Sequence, residues 1–432
     1  MSTDDLPGAV PLAAEDRAIL ALECATVVGH VCHVVVVAPD ATGTAMLDAA
    51  AVRERFRSRL DAVPELRYRL GGTAERPVWV PGDDVDLSAH ILDAPEGPTD
   101  DLGLRAVVAD RFSHHLDRSR PLWAIDVVPL TDGTTALVWR LHHALADGTT
   151  AVRLAETALF DEQPTRPGHE PATGPSVSPV PVITRDHVRR RAHLLGFLRR
   201  EFALDTARSP FDGVIGTRRA VAFVDTCFSG LHAAARAAGA TVNDAVLSVF
   251  AGALRRWLEH HGGVATDLRV RVPVSLHQQG PDALNRDSSF SLSLPLHIGD
   301  PVERVRAVHR ATEDRKTAED AVRLDALLHE LSGVAPSLQR LVTRAQASPR
   351  AFAVSISNVV GPRSPVAVCG RAVRSIRPIA EIGQRHALRL GAMSMADELA
   401  FGVCADPTIV EDVDLLMDGL AREITELIAA SS

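Results

Sequence analysis

Residues 123–148, WAIDVVPLTDGTTALVWRLHHALADG, decide how the chain is read. Two apolar, strand-sized runs, Trp123–Pro129 and Thr134–Leu141, flank Thr131-Asp132-Gly133-Thr134, a turn signal that predicts a hairpin. The second strand runs straight into His142-His143-Ala144-Leu145-Ala146-Asp147-Gly148. From Thr149 to Phe160 the apolar residues Val152, Leu154, Ala158 and Leu159 return at helical spacing. Strand-to-helix turns are where α/β proteins collect functional groups, because a rigid scaffold holds the loop.

The same mixture continues outward. Val27–Ala38 is a β-branched run that suits a buried strand, and Thr44–Leu60 and Leu104–Leu116 have helical spacing. Asp161–Pro181 is rich in Pro, Gly, Ser and Thr and reads as an interdomain linker. His187–Phe202 follows as a basic stretch with an apolar stripe. It reads either as a solvated helix or as a surface that touches a membrane or a CoA phosphate. Beyond Gly216, Thr241-Val242-Asn243-Asp244 opens a helix, and Asp244 stands where a capping box would put it. Leu268–Leu276, Ser289–Ile298 and Phe352–Val360 are strand patterns, and Val413–Leu427 is an amphipathic helix. The expected fold is α/β (α+β), with two domains of mixed sheet and helices, residues 1–160 and 216–432, joined by 161–215.

With 432 residues, 46% apolar and 23% charged, the chain has a globular composition of two-domain length. A net charge of −9 and only twelve Phe, four Trp and one Tyr argue against a nucleic-acid partner. The five cysteines include no CxxC pair and read as free thiols in a reducing compartment. No apolar stretch approaches the roughly 20 residues that span a bilayer, and the acidic N-terminus does not resemble a signal peptide. A cytoplasmic protein is expected, with peripheral contact to a membrane or lipid droplet left open by the basic stretch.

Among 18 histidines there are three adjacent pairs. His114-His115 and His260-His261 fall at polar helix ends and read as solvated. His142-His143 ends a strand, where successive side chains point to opposite faces. Adjacent histidines there rarely ligate one ion, no HExxH is present, and a metal is not expected. One imidazole would face a cleft and the other the fold. A near-neutral histidine can take the proton of a hydroxyl as it attacks a carbonyl. Asp147 could fix the loop by pairing with an arginine, and Gly148 would let backbone or ligand approach closely. Without a GxSxG elbow, direct transfer is favoured over an acyl-enzyme.

His142-His143-Ala144-Leu145-Ala146-Asp147-Gly148 resembles the HHxxxDG motif of CoA-dependent acyltransferases. Leu116-Asp117-Arg118-Ser119-Arg120-Pro121-Leu122-Trp123 is similar to the LDRxRPLW block of bacterial wax ester synthase/diacylglycerol acyltransferases. Asn243-Asp244, Val272-Pro273-Val274-Ser275, Asn285-Arg286 and Ser357-Asn358-Val359-Val360-Gly361-Pro362 follow in that family's order. Val360 replaces a proline and Leu284 a glycine, and Ser394–Glu398 lacks the family's Tyr and Gly, which weakens the substrate assignment if that block lines the pocket.

The resemblance implies two CoA-dependent-acyltransferase-like domains with the active site between them, and acyl transfer from acyl-CoA to diacylglycerol or a long-chain alcohol. Acyl-CoA is then a co-substrate, and no bound cofactor is implied. His143 would be the general base and His142 would pack inward. Asn243 could stabilise the oxyanion or merely cap its helix beside Asp244. Ser357 and Asn358 would line the channel or form a turn after the strand. The alternatives are a related acyltransferase for a specialised hydroxyl or amine acceptor, and a non-catalytic acyl-CoA- or lipid-binding protein.

Overall fold

The computed structural model describes residues 8–161 apart from 41, 44, 74 and 75, then 209–275, 287–317 and 348–431. Most of the 161–215 linker, the basic stretch His187–Phe202 and the Asn285-Arg286 block lie outside the described residues.

Three sheets are present among them. A small sheet joins β1 (Val10–Pro11), β3 (Arg69–Gly72) and β4 (Pro77–Val80). The first large sheet contains β2 (His30–Val37), β5 (Ile91–Asp93), β6 (Trp123–Pro129), β7 (Thr135–His142), β12 (Ala367–Val368) and β13 (Arg371–Ala380). Its order is β12-β13-β2-β7-β6-β5. The second contains β8 (Ala220–Cys227), β9 (Leu268–Ser275), β10 (Asp287–Leu294), β11 (Val354–Val360), β14 (Leu388–Met395) and β15 (Glu398–Ala405), in the order β10-β9-β11-β14-β15-β8.

Every residue of β2, HVCHVVVV, is buried, because this central strand is covered on both faces. The hairpin expected from Thr131–Thr134 joins β6 to β7: Gly133 takes φ +84° and the Asp132 carboxylate accepts from the Thr134 N–H. β7 has the expected length but is shifted by one residue, from Thr134–Leu141 to Thr135–His142, and so includes His142. Aspartate caps fix where the expected helices begin, later than expected for the first and earlier for the other two. Asp48 opens Ala49–Arg57, Asp100 opens Asp101–Arg111, and Gly148–Leu154 passes into a π-turn at Ala155–Leu159. The Val242–His260 helix starts on the expected capping box. It packs on the second sheet with Phe228–Ala237, Pro301–Thr317 and Val413–Ser431.

The sheets do not divide the chain at residue 216. β12 and β13 lie well inside the second half of the sequence, yet β13 pairs antiparallel with β2 of the first sheet. To do so it crosses β14 and β15 where Gly391 and Gly402 stand directly opposite one another. A Cβ built on Gly402 would lie 1.9 Å from the Pro378 carbonyl oxygen of β13, a distance no side chain tolerates. On Gly391 it would meet the Ser357 hydroxyl at 3.3 Å and Pro378 at 3.6 Å. Beside this crossing, Arg377 of β13 bridges Asp225 of β8 and Asp101 of the first half.

Gly402→Ala must push β13 off the second sheet and is expected to cost about 1–3 kcal/mol in urea unfolding. Gly391→Ala has more room and should cost less. Equal costs would show that the crossing yields freely.

Candidate active site

His142, the last residue of β7, is buried and turned into the protein. Its main-chain N–H donates to the Leu122 carbonyl at 2.9 Å, and its Nδ1 accepts the Ala144 N–H at 3.0 Å. An accepting Nδ1 requires the proton on Nε2, and that N–H meets the carboxylate of Glu23. Arg118 also binds Glu23, and His115 Nδ1 approaches it to 3.9 Å. Burial pushes the Glu23 carboxyl up, but hydrogen bonds and charge from His142 and Arg118 outweigh it and hold the group below its ordinary range. The sequence reading missed Glu23, which lies 119 positions from His142 and in no recognised motif.

Gly29 completes this brace. At φ +70° its missing Cβ would sit 2.8 Å from His142 Nε2, and its carbonyl accepts the His143 N–H at 2.8 Å. Pro121, Leu122 and Trp123 pack beneath: Trp123 stacks on Phe56 and His90 and donates from Nε1 to the Leu66 carbonyl at 2.8 Å.

His143, turned the other way, lines a cavity of about 80 Å³ between the two large sheets. Gly148, Thr149, Ser357, Asn358, Pro378, Ile379, Gly391 and Arg389 share that lining. Burial lowers the His143 pKa to about 4; the Arg389 charge pushes the same way, and Asp147 opposes both. The imidazole is therefore neutral, and so able to accept a proton, throughout the neutral range.

Asp147 is fully buried and caps the Gly148–Leu154 helix, accepting the Thr150 N–H at 2.6 Å. Gly148 makes the expected close approach, but to protein: a Cβ there would lie 2.9 Å from Val359 of β11. Ser357 and Asn358 lie within β11, not in a turn after it. Asn243 is absent from the cavity wall, but its Oδ1 accepts from the Asn358 amide at 3.4 Å, a weak contact.

Asp244 does not reach the cavity wall either. Its carboxylate closes the capping box with Thr241 and accepts from Thr312 at 2.6 Å and His309 at 2.8 Å, so it ties two helices together. Its expected place among substrate contacts has no support in this geometry: the carboxylate is fully buried and takes its donors from Thr241, Thr312 and His309.

Ser394–Glu398 spans the end of β14, the Ala396-Asp397 turn and the first residue of β15, with Ala396 at φ +51°. Met395, Ala396, Asp397 and Glu398 line a separate cavity of about 860 Å³, which does not include His143. The departures in that block therefore do not alter the wall around His143.

Residues 12–200 match the model of the wax ester synthase/diacylglycerol acyltransferase catalytic domain, and 285–428 match the C-terminal domain of the same family. The chain belongs to the wax ester synthase/diacylglycerol acyltransferase family. It is an acyltransferase. A solved wax ester synthase/diacylglycerol acyltransferase from Marinobacter aquaeolei VT8 is 26% identical, with a TM-score of 0.71 over 98% of this chain and 99% of that one. A Mycobacterium tuberculosis protein named as a probable diacylglycerol O-acyltransferase is 29% identical over 389 residues, covering 83% of this chain and 85% of its own length. The first condensation domain of the calcium-dependent antibiotic synthetase shares the fold, at 17% identity and a TM-score of 0.63 over 99% of this acyltransferase and 97% of that chain.

Removing the carboxylate by Glu23→Ala takes the acceptor from the His142 Nε2–H and from Arg118. The acyltransferase variant should lose about 1–3 kcal/mol of stability and show a lower kcat with KM within about twofold. Lost stability with unchanged kcat would reduce Glu23 to a packing contact.

Proposed function

We propose that this acyltransferase moves a fatty acyl group from acyl-CoA to the hydroxyl of diacylglycerol or a long-chain alcohol, with His143 as general base. The observation that carries the reading is a neutral imidazole facing a cavity between the sheets, on a loop braced from behind. The acceptor hydroxyl gives its proton to His143 while its oxygen attacks the thioester carbon. The tetrahedral oxyanion collapses, the C–S bond breaks, and CoA thiolate takes the proton back from His143. Base assistance of this kind is worth about 10²–10⁴ in rate.

Oxyanion stabilisation falls to the cavity-facing Ser357 hydroxyl and Asn358 amide, with Asn243 accepting from that amide as a positioning residue. Asp147 acts on the base at a distance: its negative charge favours protonation of His143 while Arg389 disfavours it. Its hydrogen bond to Thr150 keeps the loop and the following helix in register.

His143→Ala should lower CoA release by about 10²–10⁴ in kcat/KM without unfolding the protein. Near-wild-type thiol release would make the base assignment wrong. The folded protein depresses the His143 pKa from 6.5 to about 4, so activity should be flat through the ordinary histidine range and fall only as pH nears the lowered value. A kcat/KM profile that bends near 6.5 would contradict this.

A further inference from the structure

A second imidazole faces the same cavity. His33 lies on β2, directly opposite Trp139 of β7 and Pro378 of β13. Only 3% of its surface is exposed, and it lines the His143 cavity. Burial alone acts on it, lowering its pKa to about 4, with no charge or hydrogen bond among the causes. No side-chain hydrogen bond or ion pair among the described residues reaches its ring. His142 is held by Glu23 and Ala144, and His90 Nδ1 bonds the Trp123 carbonyl at 2.7 Å. His30, earlier on β2, has no ring hydrogen bond either, but it packs against Phe112 and His142 and does not line the cavity.

The position is otherwise one for a hydrocarbon. β2 reads HVCHVVVV, and Val31 and Val35, two residues to either side of His33, share its face of the strand and belong to the apolar core. Placing an imidazole there without a partner costs desolvation that valine would not. His33, unlike His30, faces a cavity from which a partner can reach it. The surrounding wall is suited to such a group, since Ser357, Asn358 and Thr149 bring further hydroxyl and amide groups to it. At about 80 Å³ the space holds only a few water-sized groups.

We propose that His33 is a specificity-determining residue: it hydrogen-bonds an oxygen-bearing group that the substrate carries within a few bonds of the reacting carbon. The preferred substrate is then oxygenated near the reaction centre, with any long hydrocarbon lying beyond it. The inference rests on the His143 cavity being the reaction site. The oxygen can belong to either substrate, as a 3-hydroxyl on the acyl chain or as an ether or second hydroxyl beside the acceptor's own.

The test measures kcat/KM on the full chain for matched pairs. One arm compares a 3-hydroxyacyl-CoA with the saturated acyl-CoA of equal length, and the other a 1-O-alkylglycerol with the n-alcohol of equal length. The wild type should favour the oxygenated member of at least one pair by about tenfold, the worth of one hydrogen bond in a closed site. His33→Leu should bring that ratio close to one, His33→Gln should retain part of it, and neither should move the pH profile. The arm that responds identifies which substrate carries the oxygen. A ratio unchanged by His33→Leu in both arms, or a wild-type preference for the unbroken chain in both, overturns the proposal. If His33→Leu does not fold, the Gln variant carries the same comparison. Undiminished turnover in His143→Ala would instead fail the base assignment, and the His33 ratios would still be readable.

Discussion

The molecule is organised around one close approach, the Pro378 carbonyl resting where Gly402 has no side chain. Only a strand pair without Cβ atoms lets β13 cross β14 and β15 at this distance and still complete the ladder with β2. The crossing draws the two large sheets together at Pro378–Ala380, and the cavity that holds His143 is walled by those residues on one side and by Ser357, Asn358 and Gly391 on the other. The charges follow the same geometry. Arg377 ties β13 to Asp225 and Asp101, and Arg389, on β14, adds its charge to the burial that keeps His143 neutral.

The histidine pair divides two tasks that a single residue could not perform. His142 is fastened to Glu23 and to the Ala144 N–H, so its ring holds the loop. His143, one residue on and facing the opposite way, is left with the cavity, where burial and Arg389 keep it neutral. Gly29 serves both, giving space to one ring and a carbonyl to the other's main chain. Placement of His143 thus depends on a glutamate and a glycine that lie outside the cavity wall.

Much of the fold was legible locally. The hairpin β6–β7, the apolar run of β2 and the capping box of Val242–His260 each rest on signals within a few residues. β13, β14 and β15 went unread. RAVRSIRPIA of β13 has no regular alternation because it serves two sheets at once, and the glycines of β14 and β15 signal a close approach only once the partner strand is known. Glu23 was illegible for a related reason: it ends a short helix pattern, and only folding brings it to His142. Asp244 was legible as a cap, and the structure leaves it only that structural work.

By itself the sequence determined the family, the α/β class and that the two imidazoles of the pair face opposite ways, because motif order and strand alternation are properties of the chain taken locally; that His143 is the one turned to a cleft was implied by the family resemblance. The tertiary structure alone decided which sheet β13 joins, that Glu23 and Arg118 brace the His142-His143 loop, and that Ser394–Glu398 lies away from His143. It also brought His33 to the cavity that His143 lines, a residue that reads in sequence as one more position in a buried strand. These depend on contacts between segments distant in the chain, and no local periodicity encodes which distant backbone will lie within 4 Å of a given glycine or imidazole.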